Sequence, residues 1–512
     1  MDRLRGILTG RPGSRDARQP NSAEYAPLHA SRDHDAIEAG ARARGGDDDS
    51  SDTGGLKSAE ARCSWFEYTI FALLGVAMLW AWNMFLAAAP YFASRFSSRP
   101  SIADNFQSAI LTVSTIVNLA LTVLLTQLQR GANYVNRIQL ALLLNTVAFT
   151  LLAFSTAAFR DIAPEAYLAF LLVDVFLAAM ASSLFQNGAF AFAASFGRAE
   201  YTQAIMTGQG LAGVLPALAQ MISVLVAPPP RSPAENGSGG VGSGGESDSE
   251  DDPLGAAAFL YFLTAVVMSV VTFLLFVPVA RRHNQKQRIN ITTNSALDDT
   301  ETETDADGFQ PPSPIRKVVP LTTLFRDLHW LAGAVAICFV ATIAFFPVFT
   351  TKILSVHPYA PTPDHNSNRI FDPAVFIPLA FLCWNTGDLL GRLSTSGRFN
   401  ARLRRRPLSL FLIGLARFAA LPLYLLCNLH GQGAVVSSDL FYLFVVQLPF
   451  GMSNGWLASN AMMAAAESVE EQQEESGQED SGKREAAGGF MALCLVVGLM
   501  LGSFLSFSVA GL

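Results

Sequence analysis

Residues 381–392 read Phe-Leu-Cys-Trp-Asn-Thr-Gly-Asp-Leu-Leu-Gly-Arg, and this stretch places an acid and a base inside an apolar run. In a helix, Asp388 and Arg392 share one face because they stand four residues apart, and Asn385 lies on the same face. A charge in a membrane-spanning helix costs at least about 2.5 to 3.5 kcal/mol, so it usually faces protein or a water-filled cavity. The stretch therefore predicts a polar cluster on an interior pathway. The alternative is a pair that locks two helices together or ends a helix at the membrane edge.

The composition indicates a polytopic, all-α membrane protein. Of 512 residues, 51% are hydrophobic, only 15% are charged and 37 are phenylalanine, and the apolar runs recur along most of the chain. A soluble domain of this size needs more polar surface. The net charge of -7 identifies no partner, because the acids lie mostly in a few polar segments. The five cysteines show no disulfide or zinc-ligand spacing. No cofactor and no nucleic-acid partner are expected.

About eleven apolar segments are long enough to cross a bilayer, at roughly 20 residues per helix. They cover residues 65–92, 106–127, 134–159, 166–196, 201–227, 254–279, 324–354, 374–396, 407–429, 440–463 and 486–510. Polar composition predicts a disordered tail over residues 1–64 and a disordered linker over 228–253. The remaining chain divides into an N-terminal bundle of helices 1–6 (65–280), a linker (281–323) and a C-terminal bundle of helices 7–11 (324–512).

Basic residues set the expected orientation. Lys and Arg, such as those at 402–406, are concentrated in the loops that are cytoplasmic if the N-terminus is inside. The positive-inside rule therefore predicts a cytoplasmic tail, a cytoplasmic linker at 281–323 and a C-terminus on the other side. Within the tail, residues Tyr25 to Leu28 have the tyrosine-x-x-bulky form of an endosomal sorting signal. This pattern predicts a sorting adaptor as partner, with a chance match as the alternative.

Further polar residues interrupt other apolar spans. Trp82-Asn83 lies in the first span, Gln186-Asn187-Gly188 in the fourth and Ser453-Asn454-Gly455 in the tenth. Any one of these could serve helix packing alone, because glycines allow close approach and amides bond across helices. Together with the cluster in residues 381–392, they predict a polar cavity suited to a ligand with hydroxyls and ring amides.

These motifs resemble those of the equilibrative nucleoside transporter family, including its fungal members, and the similarity runs through nearly every span from Trp65 to Leu512. The matching residues are Trp82-Asn83 with Tyr91-Phe92, then Tyr201-Thr202, Met206 and 208–213, then Phe346-Pro347, then Asn385, Asp388, Gly391 and Arg392, then Ser453-Asn454-Gly455, and finally Gly498, Gly502, Ser503 and Ser506. Ala81 departs from the pattern, because the family commonly has proline before Trp-Asn.

The resemblance implies a bundle of six and five helices, related to the major facilitator architecture, with a central cavity. It also implies that Asp388 and Arg392 bind ribose hydroxyls, that Gln186 binds the nucleobase, and that Leu79 and Leu86 pack against the base. The candidate substrate-binding residues are, in chain order, Leu79, Trp82, Asn83, Leu86, Gln186, Asn385, Asp388 and Arg392.

The sequence therefore predicts a carrier of nucleosides, with nucleobases as further candidate substrates, working by facilitated diffusion and alternating access in a lipid bilayer. A proton-coupled carrier is the first alternative, with Asp388 or Asp174 as the titrating group. No His-Glu-x-x-His, Gly-x-Ser-x-Gly or phosphate-cradling loop occurs in the spans, so an enzyme is not expected. A receptor or scaffold would not explain the charges inside the spans. The expected location is a vacuolar or endosomal membrane, with the plasma membrane second.

Overall fold

The computed structural model describes residues 64–129, 132–160, 162–226, 253–298, 319–357, 369–476 and 481–510. Almost all of the predicted tail and of the linker at 228–253 lies outside these residues, and so does the sorting pattern at Tyr25 to Leu28. Part of the second predicted linker is described. There, the helix of the sixth span continues to Asp298 instead of ending near residue 280.

The described residues are nearly all helical. The first half contains α1 (Trp65–Ala87), α2 (Ala89–Phe96), α3 (Pro100–Gln127), α4 (Tyr134–Ala158), α5 (Pro164–Ser195), α6 (Ala199–Val226) and α7 (Pro253–Asp298). The second half contains α8 (Leu321–Lys352), α9 (Pro373–Leu393), α10 (Arg398–Arg404), α11 (Pro407–Ala416), α12 (Ala420–Leu425), α13 (Leu448–Ser476) and α14 (Ser481–Ala510). A 3₁₀ turn, Arg417–Ala419, joins α11 to α12, and a π-helical segment, Phe441–Gln447, precedes α13.

Nine helical segments of the described chain are long and apolar enough to cross a membrane. They coincide with nine of the predicted spans, which confirms the all-α, polytopic class. The fifth and tenth predicted spans correspond to α6 and α13, which are helical but are not among the nine. The total of eleven spans stays a prediction.

The start of α9, the helix that carries Asp388 and Arg392, follows from its sequence. Asp372 precedes the helix, and its side chain accepts a hydrogen bond from the backbone N–H of Ala374 at 3.0 Å. Pro373 follows at the first helical position, where a missing N–H costs nothing. After the helix ends, Gly397 turns the chain toward α10 with a φ of 114°, which glycine adopts at little cost.

Two pairs of helices, α1 with α6 and α9 with α13, pack at backbone distance. α1 packs against α6 through Gly75 and Gly208, each lying against the other helix's backbone so closely that a Cβ atom would overlap it. α9 packs against α13 in the same way, and the two halves of the chain meet where α6 contacts α9 and where α5 contacts α14. The acid and base of α9 are therefore placed between α6 of the first half and α13 of the second.

Candidate functional site

Asp388 and Arg392 form the buried ion pair that their spacing predicts. The Arg392 Nε donates to Asp388 Oδ2 at 2.7 Å, and each residue is only 4% exposed. Removing two charges from water is costly, and the Coulombic attraction offsets this cost only if hydrogen bonds also satisfy the remaining polar atoms. The other hydrogen bonds made by Asp388 and Arg392 therefore decide whether the buried pair is stable.

Arg392 reaches across to the first half of the chain. Its Nη1 donates to the backbone oxygen of Met206 at 2.8 Å and to the Gln209 side-chain oxygen at 3.2 Å, both in α6. One guanidinium thus bonds to an acid on its own helix and to two acceptors on the other half. Any movement that separates α6 from α9 must break these bonds.

Asp388 is held on its other side by α13. Its Oδ1 accepts a hydrogen bond from the Asn454 Nδ2 at 2.7 Å. The Asn454 oxygen in turn accepts from the hydroxyl of Thr342, in α8, at 2.7 Å. The orientation of the Asn454 amide is thereby fixed by both neighbours, and both oxygens of Asp388 are used.

A second buried guanidinium extends this network. Arg417, 5% exposed in the turn between α11 and α12, donates to Thr342 Oγ1 at 2.8 Å and to Ser453 Oγ at 3.0 Å. It also lies over the ring of Phe450, with 4.5 Å from its Cζ to the ring centroid. Within the described chain no carboxylate pairs with it. The sequence reasoning missed Arg417 and Thr342, although a charge inside the ninth apolar span was a usable signal for the arginine.

Asn385 does not join the ion pair. Its Nδ2 donates to the backbone oxygen of Phe381 at 2.9 Å, within α9. Its side-chain oxygen lies against Gly213 of α6, where any Cβ would overlap it. Asn385, Asp388 and Arg392 thus share a face of α9. Asn385 contacts α6 at Gly213, whereas Arg392 contacts it at Met206 and Gln209.

The candidates of α1 have different surroundings. Asn83 donates to the backbone oxygen of Ala212, in α6, at 2.7 Å. Trp82 is half-buried and stacks with Phe85, with ring centroids 5.9 Å apart. Leu79 is half-buried and Leu86 is 49% exposed. The structure brings Asn83 to α6, and no hydrogen bond joins it to the ion pair in the described residues.

Gln186 and Asp174, both in α5, carry buried atoms without hydrogen-bond partners. The Gln186 Oε1 and both carboxylate oxygens of Asp174 have no partner among the described residues. An unpaired buried polar atom costs about 1 to 3 kcal/mol, so each is a position where a ligand or proton would be stabilising. Among the same residues, no group of three or more His, Cys, Asp or Glu side chains could hold a metal ion.

The ion pair can bind polar groups, because it presents a buried cation and a buried anion. Arg392 bonds to α6 of the first half and to Asp388 of the second half. These hydrogen bonds therefore form or break when the two halves move relative to each other. This arrangement suits reversible binding of a neutral polar solute.

Comparison with known proteins supports this interpretation. Residues 172–510, more than half of the chain, match the family model described as nucleoside transporter. Nucleoside transporter FUN26 of Saccharomyces cerevisiae is 27% identical over 467 residues, covering 86% of this chain and 83% of that protein. Human equilibrative nucleoside transporter 2 is 26% identical over 483 residues, covering 85% of this chain and 95% of that protein.

The fold is also that of a solved transporter. The outward-facing crystal structure of a bacterial homologue of the iron transporter ferroportin gives a TM-score of 0.50 at 13% identity, covering 87% of this chain and 95% of that one. Major facilitator superfamily transporters are among the other structural neighbours, such as a proton:xylose symporter with a TM-score of 0.47 at 11% identity, covering 86% of this chain and 87% of that one. Because the nucleoside transporter model spans both the Gln186 region and the whole second half with its ion pair, this chain belongs to the nucleoside transporter family, as its motifs predicted.

Proposed function

We propose that this integral membrane protein carries nucleosides by facilitated diffusion, with nucleobases as further substrates. The observation that carries the proposal is Arg392, which bonds to Asp388 on its own helix and to Met206 and Gln209 on the other half. A solute that competes for these bonds acts on the contact between the halves. Binding and opening are then coupled, as alternating access requires.

The ion pair is the proposed ribose site. A ribose hydroxyl can donate to Asp388 and accept from Arg392, so it can replace the hydrogen bonds that α6 and α13 now supply. Gln186 is the proposed nucleobase contact, since its unpaired oxygen can accept an N–H of the base. The remaining proposed pathway residues are Leu79, Trp82 and Leu86, which offer apolar and aromatic surface, and Asn385, whose oxygen lies beside Gly213 of α6. Asn83 is a further candidate from the sequence, but its amide donates to the backbone of the same turn of α6.

Proton-coupled transport is the second candidate function. It is favoured by Asp174, whose two buried oxygens have no partner in the described chain and which would be stabilised there by a proton. The proposed location is a vacuolar or endosomal membrane, with the plasma membrane second. The support is the tail pattern at Tyr25 to Leu28, a proposed binding site for a sorting adaptor.

Uptake by purified protein in liposomes tests the proposal. We expect saturable uptake of labelled uridine or adenosine that stops when the inside and outside concentrations are equal, and that exceeds uptake by protein-free liposomes. A panel of nucleosides and nucleobases then defines the substrates. Absence of uptake across the whole panel would contradict a carrier for this class.

A pH gradient separates the two candidate functions. Facilitated diffusion gives the same final concentration with and without the gradient. Proton coupling gives accumulation that depends on the gradient and is lost in Asp174→Asn, which keeps the shape of the side chain and removes its titration. Accumulation that persists in Asp174→Asn would exclude Asp174 as the coupling group.

A further inference from the structure

The helix α6 contains a proline in its interior, Pro216. Proline has no backbone N–H, so the carbonyl four residues earlier, that of Ala212, loses its helical donor. In a membrane this loss is serious because no water is present to replace the donor. Interior prolines are tolerated there when a neighbouring helix satisfies the freed carbonyl.

The freed carbonyl of Ala212 has found such a donor. The Asn83 Nδ2, in α1, donates to Ala212 O at 2.7 Å, although the two residues are 129 apart in sequence. The other long helices with interior prolines offer a comparison, because α7, α8 and α9 contain Pro278, Pro347 and Pro378. Within the described chain, no side-chain hydrogen bond reaches the corresponding carbonyls of Leu274, Ile343 and Ala374. The bond from Asn83 is therefore specific to α6.

The same turn of α6 also contacts the second half of the chain. Gly213, the residue after Ala212, lies against the Asn385 side-chain oxygen of α9, and Gly210 lies against Arg392. The turn is thus held by an asparagine of α1 on one side and by α9 on the other. A change in its backbone would move α1 relative to the ion pair.

We propose that Asn83 is a positioning residue, which supplies the hydrogen-bond donor that Pro216 removes and so ties α1 to the turn of α6 that contacts α9. This role goes beyond substrate transport, because Asn83 acts on a helix backbone and not on the solute. The test of this role depends on the proposed function only where uptake is measured.

A double-mutant cycle with Asn83→Ala and Pro216→Ala tests this role. In the Pro216 background, Asn83→Ala leaves Ala212 O without a donor, so we expect a lower Tm of the purified protein and about a tenfold lower maximal uptake rate. In the Pro216→Ala background the alanine N–H bonds to Ala212 O within the helix. There, we expect Asn83→Ala to change the uptake rate less than about twofold and to leave the Tm nearly unchanged.

The competing explanation is that Asn83 contacts the substrate directly. A direct contact predicts a raised KM for uptake in both backgrounds and no rescue by Pro216→Ala. Pro278→Ala is the matched control, because it removes an interior proline whose partner carbonyl receives no side-chain bond in the described chain. We expect its effect to add to that of Asn83→Ala without rescue.

Besides a raised KM in both backgrounds, two results for stability would overturn the proposal. One is an equal loss of Tm on Asn83→Ala with and without Pro216, and the other is rescue by Pro278→Ala as large as by Pro216→Ala. If Asn83→Ala alone prevents expression, the yield of folded protein becomes the readout, and the double variant must restore it. The Tm and yield do not depend on nucleoside transport, so failure of the proposed function remains distinguishable.

Discussion

Asp388 lies at the centre of the buried network, because each of its oxygens accepts a hydrogen bond from a different side chain, one on its own helix and one on α13. Arg392 bonds to one oxygen and Asn454 to the other. Removing one partner of a buried pair costs about 3 to 5 kcal/mol, since the remaining charge is left uncompensated. Alanine substitutions at this pair would therefore damage folding, and conservative substitutions are the useful probes of binding.

We predict that Asp388→Asn and Arg392→Lys reach the membrane but transport ribonucleosides poorly. Asp388→Asn keeps the shape and removes the charge, whereas Arg392→Lys keeps the charge and loses the planar fork that holds two groups together. If the pair binds ribose hydroxyls, uptake of 2′,3′-dideoxynucleosides should fall much less than uptake of ribonucleosides. The measurement is the ratio of the two uptake rates in each variant, normalised to surface expression.

Arg404→Lys is the matched control for this prediction. Arg404 is also mostly buried and pairs with an acid, Glu467, with 2.9 Å from its Nε to each carboxylate oxygen, but it makes no hydrogen bond to Asp388 or Arg392 in the described residues. We expect Arg404→Lys to leave the ratio of the two rates unchanged. Equal losses for both substrate classes in the α9 variants would identify the pair as a packing lock between helices.

The sequence predicted the pair itself but not its partners. Asp388 and Arg392 lie on one helix, where a spacing of four residues determines the contact. Asn454 and Thr342 lie on other helices, and no local spacing encodes which helix faces α9 at which depth. The sequence singled out Asn454 as a polar interruption of its span and Gln209 as part of the motif at 208–213, but their bonds to the pair depend on packing between helices.

Helices α9 and α13 pack reciprocally through glycines of both helices. Each helix carries two glycines four residues apart, and each glycine lies against a backbone oxygen of the other helix. The contacts are Gly387 with Leu448 O, Gly391 with Met452 O, Gly451 with Trp384 O and Gly455 with Asp388 O. Small residues at this spacing allow membrane helices to approach at backbone distance. The approach also brings Asn454 within reach of Asp388.

We predict that Gly455→Ala destabilises the protein by about 1 to 3 kcal/mol, because its added methyl would overlap the carbonyl of Asp388. The Tm of the purified protein should fall, and uptake should fall with it, since α13 would move away from the ion pair. Gly414→Ala is the control, because a Cβ there meets its nearest atoms at 3.5 Å, which is ordinary contact. A Tm as low in Gly414→Ala as in Gly455→Ala would contradict this explanation.

The length of the apolar runs predicted the helices, but it did not predict where those helices are broken or distorted. The ninth predicted span is broken by the turn Arg417–Ala419, and the tenth begins with the π-helical segment Phe441–Gln447. The π-helical segment is mostly apolar, and the turn adds a single arginine to an apolar run, so counting apolar residues detects neither break. The turn places the Arg417 guanidinium among acceptors of α8 and α13, and this tertiary arrangement decides the local backbone.

At the scale of the whole molecule, the two halves are joined by contacts between α6 and α9 and between α5 and α14. The Gln203 Nε2 of α6 donates to Ser396 Oγ, just beyond α9, at 3.2 Å, and further contacts continue along α6 to Gly213 beside Asn385. A similar contact brings Gly488 of α14 against the backbone of Phe190 in α5. If the N-terminus is cytoplasmic, as the positive-inside rule predicts, the Gln203 to Ser396 contact lies toward the cytoplasmic side. Alternating access then requires the Gln203 to Ser396 contact to open in each cycle.

We predict that crosslinking this contact stops transport. The double variant Gln203→Cys/Ser396→Cys, treated with a short bis-methanethiosulfonate that links the two thiols through disulfides, should lose uptake and regain it when those disulfides are reduced, because a covalent bridge prevents α6 and α9 from separating. Each single variant should keep its uptake under the same treatment, which controls for the native cysteines. Lys483→Cys/Asp327→Cys is the matched control, because that ion pair, at 3.3 Å, joins α14 and α8 within one half. A crosslinked Gln203→Cys/Ser396→Cys protein that still transports at its uncrosslinked rate would show that this contact does not open, and the alternating-access movement would have to occur elsewhere.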